Sequence, residues 1–266
     1  MEDKMENLIY NEDCIKTLVR LPENSVPLVV TSPPYFVNKE YEKEMLYDDY
    51  YTMMKAVFME VERVLVGGGY FVVNFGDFFN SGNRFYEAQV PSCYPASLNY
   101  FHWGVDCAGM DLQATRIWRK RFAKMGIPFV CNTHPRPVFD YEHIWTFRKK
   151  GIDKKERVND RKLSQRGVIG EDWKSDAGID KHCAAFPVEL PVWAIDVYSK
   201  EGDTVYDPFM GSGTTAIACI LTERKYLGSE INTDFYELAI QRIQKFSGIN
   251  WKIFTRSKAV EAIDKG

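Results

Sequence analysis

The sequence contains no uninterrupted apolar run of the length a membrane-spanning helix needs, about 18 residues. Its opening stretch, MEDKMENLIY, is acidic and has no apolar core of the kind a secretory leader carries. Together these absences give the expectation of a cytoplasmic protein. Paired cysteines are missing too. Cys14, Cys93, Cys107, Cys131, Cys183 and Cys219 are scattered and form no CxxC pair, so neither a zinc site nor a disulfide framework is expected. His102, His134 and His143 have no spacing that suits a metal, and with Trp103 and Trp145 they read as packing or stacking residues. There is no internal repeat and no overall basic excess. The net charge of −3 excludes a uniformly basic nucleic-acid coat.

Local charge differs from the average. TRIWRKRFAK holds Arg116, Arg119, Lys120, Arg121 and Lys124 with no acid among them. The stretch 148–166, which includes Lys149 and Lys150, holds nine basic residues against three acidic ones. Such runs are either phosphate-binding surfaces or a solvated helix face and loop.

Short β-rich runs stand at 26–32, 70–76, 142–148, 203–209 and 225–231. Between several of them lie segments with helical apolar spacing. In 48–65, Tyr51, Met54, Val57, Phe58, Val61 and Leu65 share one stripe; 213–225 and 233–246 also read as helices, with Thr233 or Asp234 capping the last. Gly67, Gly68 and Gly69 are expected to break the chain before the strand at 70. Alternating strands and helices predict an α/β fold, a mostly parallel sheet with helices on both faces, as one catalytic domain over 1–266. Two regions fit this poorly: 77–113, aromatic and rich in turn residues, and 149–180, polar and basic. The aromatic one is too apolar to be left unpacked.

DPFMGSGTTA follows an apolar strand and opens a helix. Gly211 and Gly213 permit a tight turn, and the helix N-terminus behind them offers free N–H groups. A phosphate-binding loop would need Lys after Gly213, where Thr214 stands, so that reading is rejected. A dinucleotide turn (Gly211, Gly213, Ala216), an S-adenosylmethionine site and a purely structural turn remain. Asp207 at the strand end is poor company for a pyrophosphate and favours a cationic ligand. Glu230, after the next strand, suits ribose hydroxyls.

TSPPY, residues 31–35, ends another apolar strand. The prolines stiffen a turn at the edge where parallel sheets bind ligands. The Ser32 hydroxyl, the Pro33 carbonyl and the flat ring of Tyr35 suit an aromatic base bearing an exocyclic amino group.

At this point the sequence resembles the DNA amino-methyltransferases, whose motif (Ser/Asn/Asp)-Pro-Pro-(Tyr/Phe/Trp) is matched by Ser32-Pro33-Pro34-Tyr35. The lead NEDCIKTLVRLPENSVPLVV is similar to the family's. Asp13 matches the acid near the cofactor adenine, with Cys14 beside it, although Glu12 stands where the family often has glycine. HCAAFPVELP resembles the helix segment closing over the methionine end of the cofactor, with Phe186 and Pro187 at its centre. DPFMGSGTT matches the cofactor turn, contributing Asp207, Pro208, Phe209, Gly211, Gly213 and Thr214. YLGSEIN matches the strand that ends in Glu230 and Ile231, and Thr31 lies just before the catalytic motif. The catalytic motif precedes the cofactor turn, which looks like the permuted β group.

The resemblance implies a Rossmann-like fold, S-adenosylmethionine as cofactor and no metal. Its substrate is duplex DNA with the target base flipped out and stacked on Tyr35, with Phe36 or Tyr41 as a further wall. It places the protein at a prokaryotic nucleoid, in restriction–modification, and allows a homodimer. Ser at the first motif position is seen more often with cytosine-N4 than with adenine-N6 enzymes. Arg116, Arg119, Lys120, Arg121, Lys149 and Lys150 become DNA-backbone candidates, and 77–113 and 149–180 candidate recognition insertions. Asp77 reads either as a wall of the cleft or as a strand-end cap. A nicotinamide-dependent oxidoreductase would explain GSGTTA but not TSPPY, and a non-catalytic DNA-binding module would need neither motif intact.

Overall fold

The computed structural model describes residues 6–35, 46–79, 93–120, 140–151, 166–170, 173 and 186–247; of residues 78, 79, 93, 94 and 247 it describes the backbone alone. Its strands are β1 (Leu8–Tyr10), β2 (Val26–Thr31), β3 (Leu65–Phe75), β4 (Phe78–Phe79), β5 (Cys93–Tyr94), β6 (Asp111–Arg119), β7 (Tyr141–Arg148), β8 (Val168–Ile169), β9 (Thr204–Asp207) and β10 (Lys225–Ser229). The helices are α1 (Cys14–Arg20), α2 (Tyr47–Val64), α3 (Ser97–Phe101), running on into a π-helical segment (His102–Cys107), then α4 (Glu189–Tyr198), α5 (Thr214–Leu221) and α6 (Thr233–Ser247).

Eight strands form one sheet in the order β1-β10-β9-β2-β3-β7-β6-β8. All neighbours pair in parallel except β7, which is antiparallel to both β3 and β6. This is the expected α/β sheet with one reversed strand. Alternation along the strands sorts the core into two layers. Val29, Phe71, Val73, Phe75, Trp145 and Phe147 face α1, α2 and the π segment. Leu28, Val30, Val72, Ile144 and Val205 face α4 and α5.

Four local expectations are corrected. The three glycines do not break the chain, because β3 runs through them from Leu65; Gly68 takes a positive φ and the β2–β3 register shifts there. The buried stripe of α2 is Tyr50, Met54, Val57, Phe58, Val61 and Val64, so it is turned slightly from the one read, and Leu65 already belongs to the strand. Asn232 caps α6 in place of Thr233 or Asp234, its side-chain oxygen accepting from the Phe235 N–H (3.1 Å). Phe186 and Pro187 precede α4 and do not lie inside a helix.

The aromatic region does pack. Tyr100, Trp103 and Met110 are buried against α2 and β3, and the Tyr100 ring stacks on Phe75 at 3.8 Å between centroids. Each such aromatic pair adds about 0.5–1.5 kcal/mol beyond the area it buries. Wide π turns bring residues four and five apart together, and here His102 bonds to Asp106 (3.0 Å) and lies 3.3 Å from the Cys107 sulfur.

Candidate active site

Two groups of residues meet at the edge of the sheet where the parallel strands end. On β2, Thr31 is the last strand residue, and its hydroxyl donates to Asp207 Oδ1 at the tip of β9 (2.5 Å). The next residue, Ser32, has its hydroxyl 2.7 Å from the Tyr35 hydroxyl. The double-proline turn is held from below by α2, where Tyr50 donates to the Pro34 carbonyl (2.9 Å). Tyr35 also lies 3.2 Å from Asn74 Oδ1 on β3 and 3.3 Å from Glu142 Oε2 on β7. Its ring covers Gly76, where an added Cβ would meet ring carbons at 3.6 Å. Asn74 is held in turn by donating to the His143 carbonyl (3.0 Å), and Lys120 pairs with Glu142 Oε1.

On β9, Asp207 is 1% exposed. Its Oδ1 accepts from Thr31 and from the Phe209 N–H (3.0 Å), and its Oδ2 accepts from Thr215 (2.5 Å). Burial pushes its carboxyl up to about 6 despite these donors, and the Glu230 charge adds to the rise. Glu230 is raised as well, again by burial. Its two oxygens accept from Gly211 N–H and Asn232 N–H (2.8 Å each), clasping the glycine turn to the start of α6. Pro208 carries the chain from Asp207 into that turn. Gly213 stands at φ +85°, and a Cβ there would sit 3.0 Å from Ala239 on α6, so both backbone and packing call for glycine. Behind the turn the buried guanidinium of Arg242 donates to the Ser212 carbonyl (2.8 Å) and hydroxyl (2.7 Å).

The remaining cofactor candidates gather at the same edge with one exception in character. Asp13 caps α1 by accepting from Ile15 N–H (2.8 Å). Ile231 is 68% exposed beside Glu230 and presents an apolar surface to solvent. Phe186 is buried, and Thr214 is buried as the first residue of α5. Cys14 is buried in the core, and burial pushes its thiol up to about 12, so it offers packing and no thiolate.

The basic candidates divide. Arg119 ends β6 on the active-site edge and Lys120 follows it; they pair with Asp140 and Glu142. Arg116 is corrected: it is buried, its guanidinium donating to Tyr198 (3.0 Å) and the Arg166 carbonyl (3.2 Å) and lying over Trp193, so it has no phosphate to meet. Lys149 and Lys150 are corrected as well. They follow the reversed strand β7 and lie at the opposite edge of the sheet, about 25 Å away at 3.3 Å per residue. There Lys149 donates to the Arg63 carbonyl (3.1 Å) and Lys150 approaches Asp111. Arg121, Lys124, Phe36, Tyr41 and His134 lie outside the described residues, as does most of 149–180.

Asp77 proves to be a strand-end clasp. It accepts from Ala96 N–H (2.9 Å) and bonds to His143 (3.0 Å). Among the described residues no group of three His, Cys, Asp or Glu side chains could hold a metal ion. Glu142, Thr215 and Arg242 are the residues that sequence reasoning missed, and nothing local in the sequence marks them.

The arrangement sets two buried, proton-hungry carboxylates beside a tight glycine turn, and one residue away a rigid hydroxyl-bearing turn. The first half suits a cationic ligand, which would relieve the cost of burying both acids. A family profile described as DNA methylase matches residues 26–241. The type II methyltransferase M.Cfr9I of Citrobacter freundii is 30% identical, covering 89% of this chain and 87% of its own. M.MjaI of Methanocaldococcus jannaschii, also a type II methyltransferase, is 30% identical over 92% of this chain and 93% of its own. Among solved structures, TTHA0409 of Thermus thermophilus, complexed with S-adenosyl-L-methionine, aligns with a TM-score of 0.70 at 28% identity, covering 90% of this chain and 94% of that one. The cytosine-N4-specific PvuII DNA methyltransferase shares the fold, with a TM-score of 0.70 at 21% identity over 97% of this chain and 91% of that one. With a motif of the amino-methyltransferases at one strand tip and a glycine turn at its neighbour, the chain belongs to the DNA methylase family and is a DNA methyltransferase of the N4/N6 type.

Proposed function

We propose that the protein transfers a methyl group from S-adenosylmethionine to N4 of a cytosine flipped out of duplex DNA. The observation that carries this reading is the Thr31–Asp207 hydrogen bond. It ties the base-side turn to the cofactor turn, so the two reactants would meet across one residue of β2, with strands about 4.8 Å apart. The base assignment rests on Ser32 as the first motif residue, the form that cytosine-N4 enzymes more often carry.

S-adenosylmethionine supplies an electrophilic methyl on a sulfonium. Asp207 and Glu230 complement that positive charge and the ribose, Gly211 and Gly213 let the ligand approach the backbone, and Ile231 offers the adenine an apolar face. Asp13, Pro208, Phe209, Thr214, Phe186 and Pro187 complete the wall. On the base side, Ser32 and the Pro33 carbonyl accept the two amino hydrogens. The nitrogen lone pair is then turned toward the methyl. Tyr35 stacks on the extrahelical base, worth about 1–3 kcal/mol, which offsets part of the unstacking cost. Arg119 binds DNA phosphates at this edge, and Lys120, while paired with Glu142, adds positive charge beside it; they set the register without reading sequence.

The test is to incubate the protein with S-adenosylmethionine and mixed-sequence duplex DNA, hydrolyse to nucleosides and identify the product by mass spectrometry. N4-methylcytosine is expected. N6-methyladenine would overturn the choice of base and leave the site in place. Ser32→Ala should lower kcat at least tenfold and leave cofactor affinity within about twofold.

A further inference from the structure

Among the described residues, the single hydroxyl proton of Tyr35 faces Ser32 Oγ (2.7 Å), Asn74 Oδ1 (3.2 Å) and Glu142 Oε2 (3.3 Å). Of these, Asn74 Oδ1 and Glu142 Oε2 can only accept. The Asn74 amide is held with its nitrogen toward the His143 carbonyl, which leaves its oxygen toward Tyr35. Glu142 is a carboxylate paired with Lys120. The tyrosine proton is therefore drawn toward Asn74 and Glu142. In the shortest contact either hydroxyl can donate, and with the tyrosine proton drawn away Ser32 donates to the Tyr35 oxygen. A serine whose proton is spent inward turns its lone pairs outward. That is the state an amino group requires, because it brings two donors.

We propose that Glu142 is a positioning residue of the methyl transfer. Through Tyr35 it holds the Ser32 hydroxyl as an acceptor, and it takes up the proton that the base releases. This rests on the reading of Ser32-Pro33-Pro34-Tyr35 as the base-side site.

The step balances as follows. The nitrogen lone pair forms the N–C bond, and the S–C bond breaks with its electrons left on sulfur. The nitrogen, now cationic, gives a proton to Ser32 Oγ. The serine's own proton passes to the Tyr35 oxygen, and the tyrosine's proton passes to Glu142. Glu142 becomes neutral and releases the proton at its small exposed edge, where its side chain is 12% accessible. A methylated aromatic aminium is a strong acid, so a carboxylate is a sufficient acceptor. Lys120, on the other carboxylate oxygen, keeps Oε2 aimed at Tyr35 and is free to shed the pairing once the proton has arrived. Tyr35 thus has two tasks, stacking by its ring and conduction by its hydroxyl, and they are separable.

The experiment uses the full chain with S-adenosylmethionine and unmethylated mixed-sequence duplex DNA, comparing Tyr35→Phe, Glu142→Gln, the double variant and Ser32→Ala. Tyr35→Phe keeps the stacking ring, and Glu142→Gln keeps the shape. Each single variant should lower kcat about tenfold or more, with KM for both substrates and equilibrium cofactor affinity within about twofold. The double variant should be no slower than the worse single, because both changes cut one chain. The proposal is overturned if either single variant keeps kcat within twofold, if the losses multiply in the double, or if cofactor or duplex affinity falls along with kcat. Should Glu142→Gln fail to fold, Tyr35→Phe decides by the same criteria. Ser32→Ala separates the two levels: if it too is fully active, the site reading itself fails, whereas a crippled Ser32→Ala beside active Tyr35→Phe and Glu142→Gln removes the relay alone.

Discussion

Replacing Asp207 by Asn should make the folded protein more stable at pH 8 and not at pH 4. Asp207 is fully buried, and burial raises its carboxyl from an ordinary 3.8 to about 6. A raised value means that the folded protein holds the proton more tightly than the unfolded chain does. The corresponding stability is fully present below about pH 4 and is lost as the pH rises through about 6. Two pH units correspond to about 3 kcal/mol. Asn does not titrate, and it fits the donors around it. Its oxygen accepts from Thr31 and Phe209 N–H in place of Oδ1, and its amide donates to the Thr215 hydroxyl, which can rotate to accept. The stability of Asp207→Asn minus that of the wild type should therefore rise by about 3 kcal/mol between pH 4 and pH 8. Urea unfolding followed by tryptophan fluorescence at several pH values measures it, and titrating groups that do not interact with Asp207 cancel in the difference. A flat difference, or one that falls as the pH rises, would show that the hydroxyl and backbone donors satisfy the carboxylate and that its burial is not costly.

Other outcomes follow from the same geometry. Gly213→Ala should destabilise by about 1–3 kcal/mol, from the positive φ and from the Cβ meeting Ala239, and should weaken S-adenosylmethionine binding measured by calorimetry. Arg242→Ala should lower stability by about 1.5–3 kcal/mol in urea unfolding, because the Ser212 carbonyl loses a charged donor. It should weaken cofactor binding without touching duplex affinity. Arg119→Ala should reduce the salt dependence of duplex binding by about 0.9 in logarithmic slope, measured by anisotropy, whereas Lys150→Ala at the far edge should leave the slope unchanged.

What could be read from the sequence was what is local along the chain. Short β-rich runs marked β2, β3, β7, β9 and β10, and the motifs TSPPY and DPFMGSGTT sit at strand tips because turn chemistry and strand ends are written in adjacent residues. The rest depends on pairing between distant segments. Glu142 is one acid among many in the chain, and only the reversal of β7 brings it to Tyr35. Arg116 looks like its basic neighbours, but alternation along β6 turns it inward onto Tyr198 and Trp193. Thr215 and Asp207 meet because a helix begins beside the strand tip. The three glycines misled because permissive residues tolerate a strand when a neighbouring backbone comes close, as Pro27 does at Gly69.

The reversed strand has a consequence for how such a protein can change over generations. β6 and β7 are joined at the active-site edge, where Lys120 N–H donates to the Asp140 carbonyl (2.8 Å). Whatever the chain does between these two residues, it must leave and return through that one clasp. Doubling the length of an intervening segment costs only about 0.6 kcal/mol in closure entropy. The frame on either side is kept by strand pairing, with His143 in register against Phe75 and Ile144 against Asn74, whatever the length of the segment that joins β6 to β7. The chemistry is inherited as a fixed frame whose register does not depend on what joins those two strands.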